Sequence, residues 1–445
     1  MKNLAYSLIV AASGAFLAAG VAEKALHRRA LRAIPIRVMV NGTRGKTSVT
    51  RLVAAALREA GLRTWAKTTG TQAAWILPDG SEQEYRKKRP VNIREQIPFV
   101  RRAARDDADA IVVECMALHP ENQRMMAEEF VRPTVEIITN ARVDHISEIG
   151  ATEEETVATL SLSILEGARV VTGDARFDEY INKHTTMRVD PSDLEIDGGY
   201  VDSFPYPMFE DNVRQALCAA MLLGVDRETA LRGMRKARPD AGMCGPFRVG
   251  GCTVINGFAA NDLESSRALF EKTVALRGLE GQPVWVLFNN RGDREFRLAE
   301  FVPLMREMAG RGASLRAVGE NTAKAARFFE RKAGIAAQPL EGDALSWMEK
   351  LGEENCTVLC IGNIRGAGRA LIEALQARSD AEEKPNGERA ESRAGAQSAD
   401  FAEMDRRDAQ TGEGTAEHLN SDGAAASAQN TDDKGESPAG RADRA

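Results

Sequence analysis

Aromatic residues make up only 5% of this 445-residue chain, and its six cysteines include no Cys-x-x-Cys pair. The sparse cysteines exclude a disulfide-stapled small scaffold, and buried free thiols are the expectation for all of them. Cys356 and Cys360 fall inside an apolar run, and Cys115 just after one. A basic excess is also missing: the formal net charge is -6, which argues against a general nucleic-acid binder. No internal repeat is visible. What the chain does have is aliphatic residues, 43% hydrophobic overall, enough to exclude wholesale disorder and to build a sizeable core.

The two ends differ from the middle. From Leu4 to Ala22 no side chain is charged, which at ~1.5 Å per helical residue is roughly the length of a bilayer span. Lys24, Arg28, Arg29, Arg32 and Arg37 follow closely, while only Lys2 precedes, so the positive-inside rule keeps everything downstream in the cytoplasm. A cleaved signal peptide is the competing reading, because small residues around Gly20 to Ala22 suit a peptidase. The basic cluster resists translocation and favours the anchor. At the other end, residues 379–445 carry 16 Asp and Glu against 8 Lys and Arg and almost no large apolar side chains. Burial there cannot offset the entropy of ordering, so a disordered acidic tail is expected. Without it the chain holds 51 basic and 49 acidic side chains, close to neutral.

Between the ends, strand-like runs alternate with helical patterns: IRVMV, AIVVE, VEIIT, ARVVT, VWVLF and TVLCI. That alternation predicts an α/β fold with a mostly parallel sheet. Pro, Gly and Cys near Arg238 to Pro246 mark a boundary, after which one strand is expected from Phe247 to Ile255. The expected units are an anchor with its basic flank (1–32), a central nucleotide-binding domain (33–240), a smaller C-terminal α/β domain (241–378) and the tail (379–445).

The sharpest motif is the strand Ile36 to Val40, then Asn41, Gly42, Thr43, Arg44, Gly45, Lys46, Thr47 and Ser48, then a helix from Val49 to Ala60. In such a strand, glycine loop and helix, backbone amides and the helix amino terminus face a phosphate, the lysine ammonium reaches the outer phosphates, and Thr47 offers a hydroxyl to magnesium. The loop departs from GxxxxGK[ST], since Val40 stands where the first glycine would fall. ATP with Mg2+ is the expected ligand.

Magnesium on a triphosphate also needs carboxylates or equivalents from neighbouring strand ends. One expected strand ends in Glu114, and another ends in Asn140 with Asp144 and His145 in the loop beyond. In open parallel sheets the carboxyl ends of strands form the ligand crevice, which places Glu114 and His145 as candidate metal ligands beside Thr47. Asp144 is expected to orient His145. A basic strip, Arg86, Lys87, Lys88, Arg89, Arg94, Arg101, Arg102 and Arg105, reads equally as a path for a polyanion or as a solvated face.

The GTRGKTS loop, the strand-end glutamate and the NARVDH segment together resemble the Mur ligase superfamily of ATP-dependent amide ligases, which includes folylpolyglutamate synthetase. Asp211 to Ala216, with Asn212 and Gln215, resembles the family's adenine helix; Arg248 its linker arginine; Asn256 to Asp262 its ribose-side region; and Asn290 to Arg294 its GDRD-like turn. Asn256, Phe258, Ala260 and Gln215 depart from the commoner residues at those places. With the loop so early in the chain, a UDP-sugar substrate has no obvious seat. RVMVNGTRGKTSVTRLVAAALREAG, KTTGT and VECMALHPENQ are similar to catalytic subunits of the poly-γ-glutamate synthases, the PgsB or CapB type, up to about Arg378.

That resemblance implies activation of a glutamate-chain carboxylate as an acyl phosphate, attack by the next glutamate's amine, catalytic roles for Lys46, Glu114, His145 and Arg248, and small integral membrane subunits as partners. Two other readings stay open from the residues: a glutamate ligase acting on a small folate-like acceptor, and a membrane-tethered NTPase that forms no bond.

Overall fold

The computed structural model describes residues 2–383 apart from 71–72, 85–91, 144–147, 184–186, 241–244, 261–262, 295–296 and 353–354. Two sheets carry the fold. The first comprises β1 (Ile36–Asn41), β2 (Thr64–Thr68), β3 (Ala74–Ile76), β4 (Glu82–Glu84), β5 (Ala110–Glu114), β6 (Val135–Ile138), β7 (Arg169–Val171) and β8 (Met187–Val189). Its spatial order is β4-β3-β2-β5-β1-β6-β7-β8. From β2 to β8 in that order neighbouring strands pair in parallel, while the β2–β3 and β3–β4 pairings at the other edge are antiparallel. The parallel strands read as continuous apolar runs because helices cover both faces.

The order places β1 between β5 and β6, with Val40 opposite Glu114 and Asn41 opposite Ile138. The chain leaving β1 therefore emerges between two strand ends, the crevice where α/β sheets bind ligands. It enters α2 (Lys46–Glu59), whose Leu52, Val53, Ala54, Ala56 and Leu57 are fully buried. They form one apolar cluster with Val213, Ala216 and Leu217 of the helix Glu210–Leu222 and with Met234 of the helix Arg227–Met234.

The second sheet comprises β9 (Phe247–Val249), β10 (Cys252–Asn256), β11 (Val284–Asn290), β12 (Ser314–Gly319), β13 (Ala336–Pro339) and β14 (Cys356–Gly362), in the order β13-β12-β11-β14-β10-β9. It is parallel except for β9. The single strand expected from Phe247 to Ile255 is thus two antiparallel strands, because the Gly250–Gly251 pair turns the chain back on itself. The free-thiol expectation also needs correction: Cys252 and Cys356 form a disulfide. They lie directly opposite one another on β10 and β14, a juxtaposition that a separation of 104 residues conceals in sequence. Cys115, Cys218 and Cys360 are buried free thiols, as expected.

The helix α1 (Lys2–Ala33) runs unbroken from its exposed apolar part, with Ile9, Val10, Phe16, Leu17 and Val21 facing outward, into contact with the first sheet's helices. Among the described residues it is the one helix long and apolar enough to cross a membrane, judged by length and composition. Its second half is docked. Lys24 pairs with Glu129 at 2.9 Å, Nε2 of His27 lies 3.0 Å from the Phe130 carbonyl, and Leu31 is buried. Two arginines of the basic strip hold it as well: Arg94 pairs with Glu23, and Arg101, on α3 (Gln96–Arg105), donates to the Glu23 carbonyl at 3.0 Å. Arg86 to Arg89 lie outside the described residues. The last helix, Ala367–Glu383, carries regular structure past Ser379, where composition places the start of the tail.

Candidate active site

The loop from Asn41 to Lys46 is shaped by two glycines. Gly42 has φ 117° and Gly45, at the amino cap of α2, has φ 83°, a region that side chains rarely adopt. Space is equally restrictive: a Cβ on Gly42 would sit 2.2 Å from Thr139 Oγ1, and one on Gly45 would sit 2.4 Å from Asn212 Oδ1.

The end of β6 braces this loop. Thr43 donates from its amide to the Asn140 carbonyl at 3.0 Å and from its hydroxyl to Asn140 Oδ1 at 2.7 Å. Arg44 donates its amide to the same Oδ1 at 3.2 Å, while its carbonyl accepts from Asn140 Nδ2 at 3.1 Å and from Thr139 Oγ1 at 2.6 Å. With these polar groups satisfied, the Gly42–Ser48 turn is a rigid cradle at a helix amino terminus, which suits an anion. The Lys46 ammonium lies over it, 2.6 Å from the Gly42 carbonyl and 3.2 Å from that of Thr43.

Across the cradle, Glu114 at the end of β5 accepts from Thr47 Oγ1 at 3.1 Å and from the Thr69 amide at 2.7 Å. Glu114 is only 3% exposed. Gly70 presses on the same point, since a Cβ there would lie 2.6 Å from Thr47 Oγ1 and 3.5 Å from Asp240 Oδ2. Hydroxyl and carboxylate are hard oxygen donors, the kind magnesium takes singly or in pairs while keeping water and substrate oxygens for the rest of its shell. Among the described residues no group of three or more His, Cys, Asp or Glu is assembled for a metal. Asp144 and His145 lie outside the described residues.

Of the other expected site residues, Asn212 packs on Gly45 at the start of its helix. Gln215, one turn on, donates to the Thr139 carbonyl at 2.8 Å and so ties that helix to β6. Arg248 projects outward from β9. Asn256 is buried at the end of β10, its Oδ1 accepting from the Phe258 amide at 3.4 Å. Ser48 is half-buried in the first turn of α2.

Beneath the loop lies a polar network that sequence reasoning missed. Asn41 accepts from the Gly42 amide at 2.8 Å and donates to Gln123 Oε1 at 2.8 Å and to Ser163 Oγ at 2.9 Å. Ser163 in turn meets Glu136 of β6, a fully buried carboxyl group. Burial pushes the Glu136 pKa up to about 7, against the opposing hydrogen bonds from Ser163 and Asn41. The signal was present in sequence as a lone acid inside the apolar run VEIIT. Asp240 and the Thr69 amide were missed too, and no local pattern marks them.

The Mur ligase middle domain family matches residues 40–185, and the poly-gamma-glutamate synthase CapB C-terminal domain family matches residues 245–378. PGA synthase CapB of Bacillus subtilis is 32% identical over 390 residues, which is 83% of this chain and 97% of that protein. Capsule biosynthesis protein CapB of Bacillus anthracis is 33% identical over 376 residues, 80% of each chain. Among solved structures, a bifunctional folylpolyglutamate synthase/dihydrofolate synthase from Yersinia pestis, complexed with AMPPNP and Mn ion, superposes with a TM-score of 0.59 at 16% identity, covering 80% of this chain and 92% of that one.

Proposed function

The chain belongs to the poly-γ-glutamate synthase CapB family, ATP-dependent ligases of the Mur ligase type, and from that premise we propose that it extends a γ-linked glutamate chain through an acyl phosphate. The observation that carries this reading is the meeting of Thr47, Glu114 and the Lys46 cradle at one crevice. A carboxylate oxygen of the chain end attacks the γ-phosphorus of ATP, the bond to the bridging oxygen breaks, and ADP leaves. The amine of the next glutamate then attacks the acyl carbon; phosphate departs, and the nitrogen loses a proton as the amide forms.

Both steps bring anions together, so the protein's task is to hold and neutralise charge. The loop amides and the amino terminus of α2 hold the phosphates, and Lys46 carries positive charge to the transferring group. Thr47 and Glu114 would hold magnesium, with His145 as a further candidate ligand; when bound, the ion would supply positive charge against the phosphate oxygens. Arg248 is assigned to the nucleotide phosphates from the C-terminal sheet, Asn212 and Gln215 to the adenine side and Asn256 to the ribose side. The AMPPNP and Mn bound by the Yersinia pestis enzyme support ATP and a divalent metal here. The exposed apolar half of α1 supports a single membrane anchor with cytoplasmic catalytic domains, beside small integral membrane subunits.

The test is trapping with hydroxylamine in the purified membrane complex supplied with ATP and glutamate. Hydroxamate and labelled polymer are expected from the wild type and absent from Lys46→Ala in an assembled complex. Phosphate release without hydroxamate from the wild type would overturn the ligase mechanism, and polymer made by Lys46→Ala would overturn the site.

A further inference from the structure

Behind the metal-side crevice, a cavity of about 270 Å³ opens between α2, the β3–β4 hairpin and the segment after the helix Arg227–Met234. That volume sits near the lower end of the ~300–1,000 Å³ typical of small-ligand pockets. Its lining carries more positive than negative charge: Arg51, Arg58, Lys236 and Arg238 against Glu59, Asp79 and Glu82.

The acids are each engaged. Glu82 takes both Arg51 terminal nitrogens, Glu59 pairs with Arg232 and Lys236, and Asp79 accepts from the Ser81 amide and hydroxyl at 2.8 and 2.6 Å. The arginines are not fully satisfied. Nη1 of Arg58 and Nε of Arg51 are buried with no hydrogen-bond partner among the described residues, and Arg51 is only 5% exposed. Leaving a buried donor of a charged group unmade is costly, so both guanidinium groups gain when a small side-chain shift in the lining brings them to an anion in the cavity. Burial also lowers the pKa of Arg58, with Glu82 and Asp79 opposing, so its charge is incompletely compensated.

The place of the cavity fits the reaction. Arg51 lies one turn beyond Thr47 on α2 and shares the electrostatic field of Glu82, Asp240 and Glu114. At ~1.5 Å per residue, Arg51 and Arg58 stand roughly 6 and 16 Å along the helix from Thr47. A γ-linked glutamate residue adds two methylene bonds to the ordinary peptide repeat, giving a span of roughly 6 Å.

We propose that this cavity is a subsite for the α-carboxylates of the growing γ-linked chain, one to three residues behind the activated end. Arg58 receives a carboxylate at the floor, Arg51, held by Glu82, adds positive charge beside it, and Arg238, exposed at the rim, meets the next. The proposal rests on the ligase reading above and assigns the cavity to the acceptor rather than to ATP.

The experiment uses the full-length protein in its membrane complex, with γ-linked tetraglutamate as acceptor. Arg58→Gln is expected to raise the KM for the tetramer by at least 10-fold and to shorten the polymer, with the KM for ATP unchanged; Arg58→Lys should recover part of the loss. Arg238→Ala, at an exposed position with little folding burden, should raise the tetramer KM several-fold and weaken its dependence on salt. Elongation with an unchanged tetramer KM in both Arg58→Gln and Arg238→Ala overturns the subsite and leaves the ligase reading standing. A parallel rise in the ATP KM for both variants also overturns it, because the cavity would then serve the nucleotide. Failure of the wild type to elongate the tetramer with release of ADP overturns the ligase reading and the subsite with it.

Discussion

Glu136→Gln should make the protein more stable at pH 8 and no more stable, or less, at pH 5. The carboxyl group is fully buried, and its pKa rises from an ordinary 4.5 to about 7. The folded state therefore holds the proton more tightly than the unfolded chain does. Below pH 4.5 both states are protonated and the group's contribution is fully present; as pH climbs to about 7 the unfolded chain releases its proton first, and stability is lost through that window. At about 1.4 kcal/mol per pH unit the loss amounts to roughly 3 kcal/mol. Glutamine carries no titrating proton and escapes it.

The substitution has a constant cost as well. Glu136 Oε2 has no partner among the described residues, so an amide nitrogen placed there would cost about 1–3 kcal/mol at any pH. Taking the stability difference between variant and wild type at each pH, and then the change in that difference between the two pH values, cancels that term. Thermal melting of the detergent-purified protein at pH 5 and pH 8 measures the remainder. The Tm difference between variant and wild type should move by on the order of 5 °C between the two, in the variant's favour at pH 8. Tm curves that stay parallel across that range would refute the buried-acid argument, whatever the size of the constant offset.

Gly45→Ala should abolish nucleotide binding while leaving the second sheet intact, because a Cβ must fit at φ 83° and 2.4 Å from Asn212 Oδ1; fluorescent ATP-analogue binding reads this, and an affinity within threefold of wild type contradicts it. Glu114→Gln keeps an oxygen for the Thr69 amide but removes the charge, so kcat should fall by roughly 10²–10³-fold with Tm little changed, and raised magnesium should recover part of the rate. Loss of Tm instead, or an unchanged kcat, would reassign Glu114 to a structural role.

What could be read from sequence was contiguous. The strand, GTRGKTS turn and helix occupy one stretch, and their local preferences agree with the fold that contains them. Glu114 could be placed because an apolar run ends on it. The Thr69 amide bond to Glu114 spans 45 residues and the Asn41 bond to Ser163 spans 122, and no periodicity encodes such pairs. The small strands β3, β4, β8, β9 and β13 are only three or four residues long, too short for an alternating pattern to register. Arg94 and Arg101 read equally as a path for a polyanion or as a solvated face, yet α1 claims them, since a charge pattern does not reveal which neighbour will meet it.

Under the anchoring proposed for α1, its unbroken course sets an angle as well as a tether. Each helical residue turns the chain by about 100° and advances it by ~1.5 Å, so a helix continuous from its apolar part to the docked Leu31 ties the heading of the Gly42–Ser48 loop to that of the apolar part. A flexible linker would let the catalytic unit swivel; this helix makes its compass bearing a property of sequence length. Adding one residue near Gly20 would turn the whole ligase by more than a quarter circle about the helix axis, whereas adding seven would nearly restore its bearing at a greater distance from the apolar part.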